Sequence, residues 1–159
     1  MKLMDHMPRY ERIWLAIGVI SIAVFLVILA ALAIGLGHTP ASHANTIAPD
    51  QVYAAAPFNE PRLEQTGPNE YRAYMVAQMF SFAPNEIRIP RGAKVTFQIT
   101  SPDVVHGLLI PGTNVNMMAI PGLVTEFTYT FKKSGDYPLI CHEYCGVAHQ
   151  LMMGRLIVE

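Results

Sequence analysis

The hydrophobic pattern begins with one long apolar run close to the N-terminus. Residues 13–37 contain no charged side chain, and most of them are Ile, Leu, Val or Ala. As an α-helix, a run of this length extends roughly 37 Å, more than the ~30 Å hydrocarbon core of a bilayer. A cleaved signal peptide, whose apolar region is usually about 7–15 residues, fits less well. The pattern therefore predicts one transmembrane helix over residues 13–37.

Beyond residue 70 the pattern changes to short runs in which β-branched and aromatic residues alternate with polar ones. The period of two is clearest in residues 95–99 and 125–131. Pro, Gly, Asn and Asp separate runs at 71–79, 86–89, 94–100, 106–110, 124–131, 137–140 and 154–158. About seven strands in so short a domain predict an all-β antiparallel sandwich or small Greek-key barrel.

Between these two regions lies a proline-rich segment without apolar periodicity. Residues 38–70 resemble a linker in composition, because proline and small residues favour extended, unpacked chain. We therefore divide the chain into an N-terminal segment (1–12), a transmembrane helix (13–37), a linker (38–70) and a C-terminal domain (71–159).

Charge indicates how the chain is oriented and excludes one class of partner. Lys2, Arg9 and Arg12 precede the apolar run, and the next cation is Arg62. The positive-inside rule then places the N-terminus in the cytoplasm and the C-terminal domain outside the cell membrane, in a periplasmic or extracellular position. The net charge of −1 and the lack of a basic stripe give no reason to expect nucleic acid.

The side chains that could bind a metal are concentrated in residues 141–152, which lie between two predicted strands. This segment contains Cys141, Cys145, His149 and Met152, and His106 at the start of another predicted strand can complete a site. Thiolate, imidazole and thioether together are soft ligands that favour copper, whereas zinc would leave the Met unused. A disulfide between the two cysteines is an alternative, although it would close a very short loop.

A second cysteine distinguishes this segment from a mononuclear blue-copper site, which needs only one. Two thiolates with three residues between them can bridge a pair of copper ions, with His106 and His149 as terminal ligands. Met152 and a main-chain carbonyl between the cysteines are then the weak axial ligands. The neighbouring Met153 could replace Met152, but the spacing from His149 favours Met152.

The segment resembles a known motif. Cys-x-Glu-x-Cys-Gly-x-x-His-x-x-Met, preceded by Asp-Val-x-His-Gly at residues 103–107, is similar to the binuclear CuA site of cytochrome c oxidase subunit II. The resemblance implies a cupredoxin fold and electron transfer from cytochrome c, or a blue-copper protein, to haem in subunit I. It also implies that the main-chain carbonyl of Glu143 binds copper, and in relatives this carboxylate can help to hold a Mg ion.

A single span resembles the plan of the B-type haem-copper oxidases, which implies that Glu11 is a candidate residue for proton entry. A solvated carboxylate paired with Arg12 is the alternative for Glu11. Where many relatives have a Trp-rich segment for electron entry, this chain has Phe80 and Phe82, and we expect an apolar docking patch there. A CuA domain of a nitrous or nitric oxide reductase and a membrane-tethered copper-binding protein are the alternative functions.

Overall fold

The computed structural model describes residues 7–36 and 42–159, which form two separate units. In the first unit a single helix, α1, runs over Arg9–Leu36. Residues Arg9–Gly35 of this helix have a mean hydropathy of 3.1, long and apolar enough to cross a membrane. Apolar side chains such as those of Trp14 and Ile34 are exposed, at 73% and 86%, as expected for a helix covered by lipid.

The second unit is a sandwich of two β-sheets with a cupredoxin-like strand order. One sheet has the order β1-β9-β6-β3-β2, with β4 added to β3, and the other has the order β5-β11-β10-β7-β8. The β3/β6 and β5/β11 pairs are parallel and the other pairs are antiparallel. In the described residues the strands are β1 Ser42–Thr46, β2 Arg62–Gly67, β3 Glu70–Gln78, β4 Ser81–Ala83, β5 Glu86–Ile89, β6 Lys94–Thr100, β7 His106–Leu109, β8 Asn116–Ala119, β9 Leu123–Thr130, β10 Gly135–Ile140 and β11 Met153–Val158.

The core lies between the two sheets and follows the predicted alternation. In β6, Val95, Phe97 and Ile99 are fully buried, whereas the intervening residues point to the other face. The rings of Phe97 and Phe131 meet edge to face, with centroids 6.2 Å apart. A rigid scaffold of this kind can hold loop residues in fixed positions at the end of the sandwich.

The linker predicted for residues 38–70 requires a correction. Residues 42–46 form β1 on β9, and residues 62–67 form β2 on β3, so both extend the first sheet. Val52 and Phe58, from the segment between them, are buried against Val124 of β9. Both strands are at sheet edges, where one partner suffices and no apolar alternation is needed, so the pattern did not reveal them. Residues 37–41 lie outside the described residues.

Strand pairing explains why distant parts of the sequence meet at one end of the second sheet. β10 pairs with β7 on one side and with β11 on the other, in both cases antiparallel. The start of β7 therefore lies beside the end of β10, which places His106 next to Cys141. The segment from Cys141 to Met152 connects β10 to β11, and its residues stay at that end of the sheet.

Candidate metal centre

Three soft donors converge at this end of the sandwich. One donor atom each of His106, Cys141 and Cys145 lies within 4.8 Å of the other two. The two Sγ atoms are 3.9 Å apart, and both cysteines are free thiols. Cys141 and Cys145 are 5% and 4% exposed. The two sulfurs are therefore close enough to bind metal together, as thiolates, in a site from which most water is excluded.

The remaining predicted ligands from the same loop surround these sulfurs. Cys145 Sγ lies 3.5 Å from His149 Nδ1 and 3.7 Å from Met152 Sδ. The Cys141 thiol donates to the main-chain oxygen of Glu143 at 3.3 Å. A short 3₁₀ helix at His149–Leu151 turns the chain so that His149 and Met152 face back towards the cysteines. The carboxylate of Glu143, by contrast, belongs to an exposed residue.

Burial separates the two neighbouring methionines. Met152 is 1% exposed and close to Cys145, whereas Met153 is 60% exposed at the start of β11. Successive residues of an extended chain point to opposite sides, so only one of the pair can face the sulfurs. This placement agrees with the choice of Met152 made from the spacing.

His106 has a ring nitrogen that is available to bind a metal. The side chain is 0% exposed, and its Nε2 lies 2.8 Å from Oδ1 of Asp103. Among the residues that the structure describes, Nδ1 has no hydrogen-bond partner. A buried, unpaired ring nitrogen is costly unless it binds something, and a neutral imidazole nitrogen is a good ligand for copper. The donor set present therefore fits the copper that the sequence predicts.

The surroundings of the site change the pKa values of two groups in opposite directions. Burial, followed by the nearby Cys141, raises the pKa of Cys145 to about 11. For Asp103, burial acts to raise the pKa, but hydrogen bonds from the main-chain N–H of Met79, from His106 and from Val104 outweigh it, and the pKa is lowered. In the metal-free chain, then, Cys145 is a neutral thiol while a carboxylate stands behind His106.

The predicted docking patch is only partly present. Phe82 is 2% exposed within the core, so the expectation that it forms part of an exposed patch is wrong. Its position in β4 turns it inwards, and a pattern of two aromatic residues with one between them could not indicate which face was buried. Phe80 is half-buried, and Met79 is 48% exposed at the tip of the β3–β4 hairpin.

Two features of the site were missed from the sequence. Asp103, quoted above only as part of a motif, is a direct partner of His106. An Asp three residues before a candidate metal-binding His is a signal that could have revealed this role, because ligating imidazoles commonly donate to carboxylates. The second feature is Met79, whose main-chain N–H donates to Asp103 at 2.7 Å.

We expect that Met152→Leu keeps the fold but changes the copper centre. Leu and Met differ little in volume, so the fold should lose less than about 1.5 kcal/mol. The thioether, however, is lost, and a weak axial ligand tunes the reduction potential of a copper site. A redox titration of the loaded protein should show a shifted midpoint potential and a changed visible spectrum.

Met153→Leu is the matched control, since it makes the same chemical change one residue away on an exposed side chain. Its potential and spectrum should remain native. Equal effects of the two substitutions would contradict the assignment of Met152.

The fold and the two-cysteine loop first define a class: a membrane-anchored copper protein with a cupredoxin-like domain. Residues 69–158 match the family described as the periplasmic domain of cytochrome C oxidase subunit II. Cytochrome c oxidase subunit 2 of Thermus thermophilus is 42% identical over 154 residues, covering 94% of this chain and 92% of the relative. The chain therefore belongs to the cytochrome c oxidase subunit II family.

A solved haem-copper terminal oxidase dimer contains a chain with the same fold. The TM-score is 0.81 at 37% identity, with 95% of this chain and 100% of the other covered. A nitrous-oxide reductase of Stutzerimonas stutzeri is 30% identical over 95 residues, which is only 15% of that enzyme. The chain is thus subunit II of a membrane-bound haem-copper oxidase, an oxidoreductase complex in which subunit I is its partner, and the reductase alternative is not favoured.

Proposed function

We propose that this subunit is the electron entry point of the oxidase and holds a binuclear CuA centre. In this proposal Cys141 and Cys145 bridge two copper ions, and His106 and His149 are the terminal ligands. Met152 and the main-chain oxygen of Glu143 complete the site. The single observation that carries the proposal is the convergence of two buried free thiols with the unpaired Nδ1 of buried His106.

Two thiolates suit this location better than one. Each removes one unit of positive charge from the bound metal, and the site is nearly closed to water. When copper is bound, the centre supplies one-electron transfer with little change in bond lengths, because the electron is shared over both ions. The residues of the chain hold the ligands in place, exclude water and present a surface to the donor.

The surface of the Cys loop suits an electron donor with an apolar contact patch. Tyr144, Val147 and Leu151 are 75%, 86% and 70% exposed, and the loop contains no Lys or Arg. Together with Met79 at the hairpin tip, these side chains offer a weakly charged face next to the ligands. We propose that a c-type cytochrome or a blue-copper protein docks there and that electrons pass on to haem in subunit I.

The remaining proposals concern the membrane and two acidic residues. With Arg9 and Arg12 at its start, α1 enters the cell membrane from the cytoplasm, and the copper domain faces the periplasm or the exterior. Glu11 lies in the first turn of α1, where a carboxylate is favoured, and is proposed for proton entry. The exposed carboxylate of Glu143 is proposed to contribute to a Mg site shared with subunit I.

Metal analysis combined with EPR on the copper-loaded full-length chain tests the copper proposal. We expect two coppers per chain and hyperfine structure from one unpaired electron shared equally by both. One copper with a blue-site or type 2 spectrum would replace the binuclear centre with a mononuclear one. Retention of copper against a chelator tests the other alternative, since a delivery protein should release it readily.

A further inference from the structure

The side chain of Asp103 contacts the candidate ligand His106 and three other groups. Its Oδ1 lies 2.8 Å from His106 Nε2, 2.9 Å from Ser101 Oγ and 2.6 Å from the main-chain N of Val104. Its Oδ2 accepts from the main-chain N–H of Met79 at 2.7 Å. One carboxylate therefore joins the loop before β7 to the tip of the β3–β4 hairpin.

These contacts determine which nitrogen of His106 is available to a metal. The carboxylate can only accept, so Nε2 of His106 must carry the proton and donate it. The neutral ring then has its lone pair on Nδ1, the atom that lacks a partner. Because the side chain is fully buried, no water competes for either nitrogen.

The hairpin tip is also attached to the loop that carries the two cysteines. An added Cβ on Gly146 would lie 3.0 Å from the ring of Phe80 and 3.7 Å from Sδ of Met79. Gly146 has a φ of +132°, so its lack of a side chain serves both the turn and the close approach. The Met79–Phe80 tip is thus held on one side by Asp103 and on the other by packing on Gly146.

We propose that Asp103 is a positioning residue for the copper centre: it fixes the tautomer of His106 that leaves Nδ1 for copper, and it joins the Met79–Phe80 tip to that ligand. This inference rests on the proposed function, since it concerns the same site. It adds that the negative charge behind the ligand sets the reduction potential. A carboxylate that accepts from a ligating imidazole increases the electron density on the ligand and stabilises the oxidised metal.

Replacement of Asp103 by Asn tests the effect on the potential. The variant Asp103→Asn keeps the size but loses the charge, and redox titration of the purified oxidase should give a higher midpoint potential for the copper centre. We expect the oxidised-to-reduced ratio at a fixed ambient potential to fall by up to about tenfold, or about 59 mV for one electron. Asp103→Glu, which restores the charge, should lie nearer to the native value.

Asp136→Asn is the matched control, because Asp136 is exposed at the opposite end of β10 from the Cys loop. Its potential should equal that of the native protein. If Asp103→Asn also has the native potential while both proteins contain two coppers, the role of Asp103 is overturned and the proposed function stands. A native oxidase without copper in this subunit would overturn both.

Hydrogen exchange on the native protein decides the question even if the Asn variant does not load copper. We expect slow exchange of the His106 Nε2 proton and of the Met79 main-chain N–H, because both are bound to Asp103. The Met79 measurement can be made on the metal-free chain and is independent of the copper proposal. Exchange of either proton at the rate of an exposed, unbonded group would overturn the assignment.

Discussion

Cys145→Ser is expected to abolish the proposed binuclear copper centre and with it electron input to the oxidase. Cys145 is the central residue of the site, since its sulfur lies 3.5 Å from His149 Nδ1, 3.7 Å from Met152 Sδ and 3.9 Å from Cys141 Sγ. A serine hydroxyl is a harder donor than a thiolate and does not ionise near neutral pH, so it cannot replace a bridging thiolate.

The size of the effect should exceed that of changes in residues that only support ligands. Loss of such a supporting partner typically costs 10–100-fold in metal affinity or activity, so loss of a bridging ligand should cost more than about 100-fold. Oxygen consumption driven by the electron donor should therefore fall to near background. EPR should show no signal shared between two coppers, and metal analysis should find at most a single copper in the subunit.

Val147→Ser provides a control for the presence of a new hydroxyl in the same loop. Val147 is 86% exposed, so its replacement removes no ligand and little packing. Its copper content and EPR spectrum should be native. Two coppers with a shared signal in Cys145→Ser would show that the thiol of Cys145 is not a bridge, and the site would have to be reassigned.

The candidate copper loop stands out in the sequence because most of its proposed ligands are close together along the chain. Cys141, Cys145, His149 and Met152 fall within one connection between two strands, so no long-range information is needed to bring them together. His106 is more distant, yet its position at the start of a predicted strand was enough to suggest it. The antiparallel pairing of β7 with β10 is the physical reason that this suggestion matches the structure.

Other parts of the fold could not be predicted because they depend on partners far along the chain. β1 consists of Ser42–Thr46, a mostly polar sequence without β alternation, and its hydrogen bonds to β9 define it as a strand. The inward orientation of Phe82 likewise follows from the pairing of β4 with β3, which no local pattern records. The contact of Asp103 with the main-chain N–H of Met79 could not be predicted for the same reason, since the two residues are 24 positions apart, whereas its contact with His106 is local.

Copper uptake by the metal-free chain is expected to strengthen as the pH rises. Burial, together with the nearby Cys141, raises the pKa of Cys145 to about 11, so near neutral pH this residue is a neutral thiol that must lose its proton to bind metal. Each proton displaced makes the apparent affinity increase about tenfold per pH unit, which predicts about a hundredfold increase between pH 6 and 8 from Cys145 alone. Competition with a chelator of known pH dependence, corrected for its own protonation, measures this slope. In weak buffer, copper binding should release at least one proton per site. A copper affinity that does not change between pH 6 and 8 would mean that Cys145 is already a thiolate before copper binds.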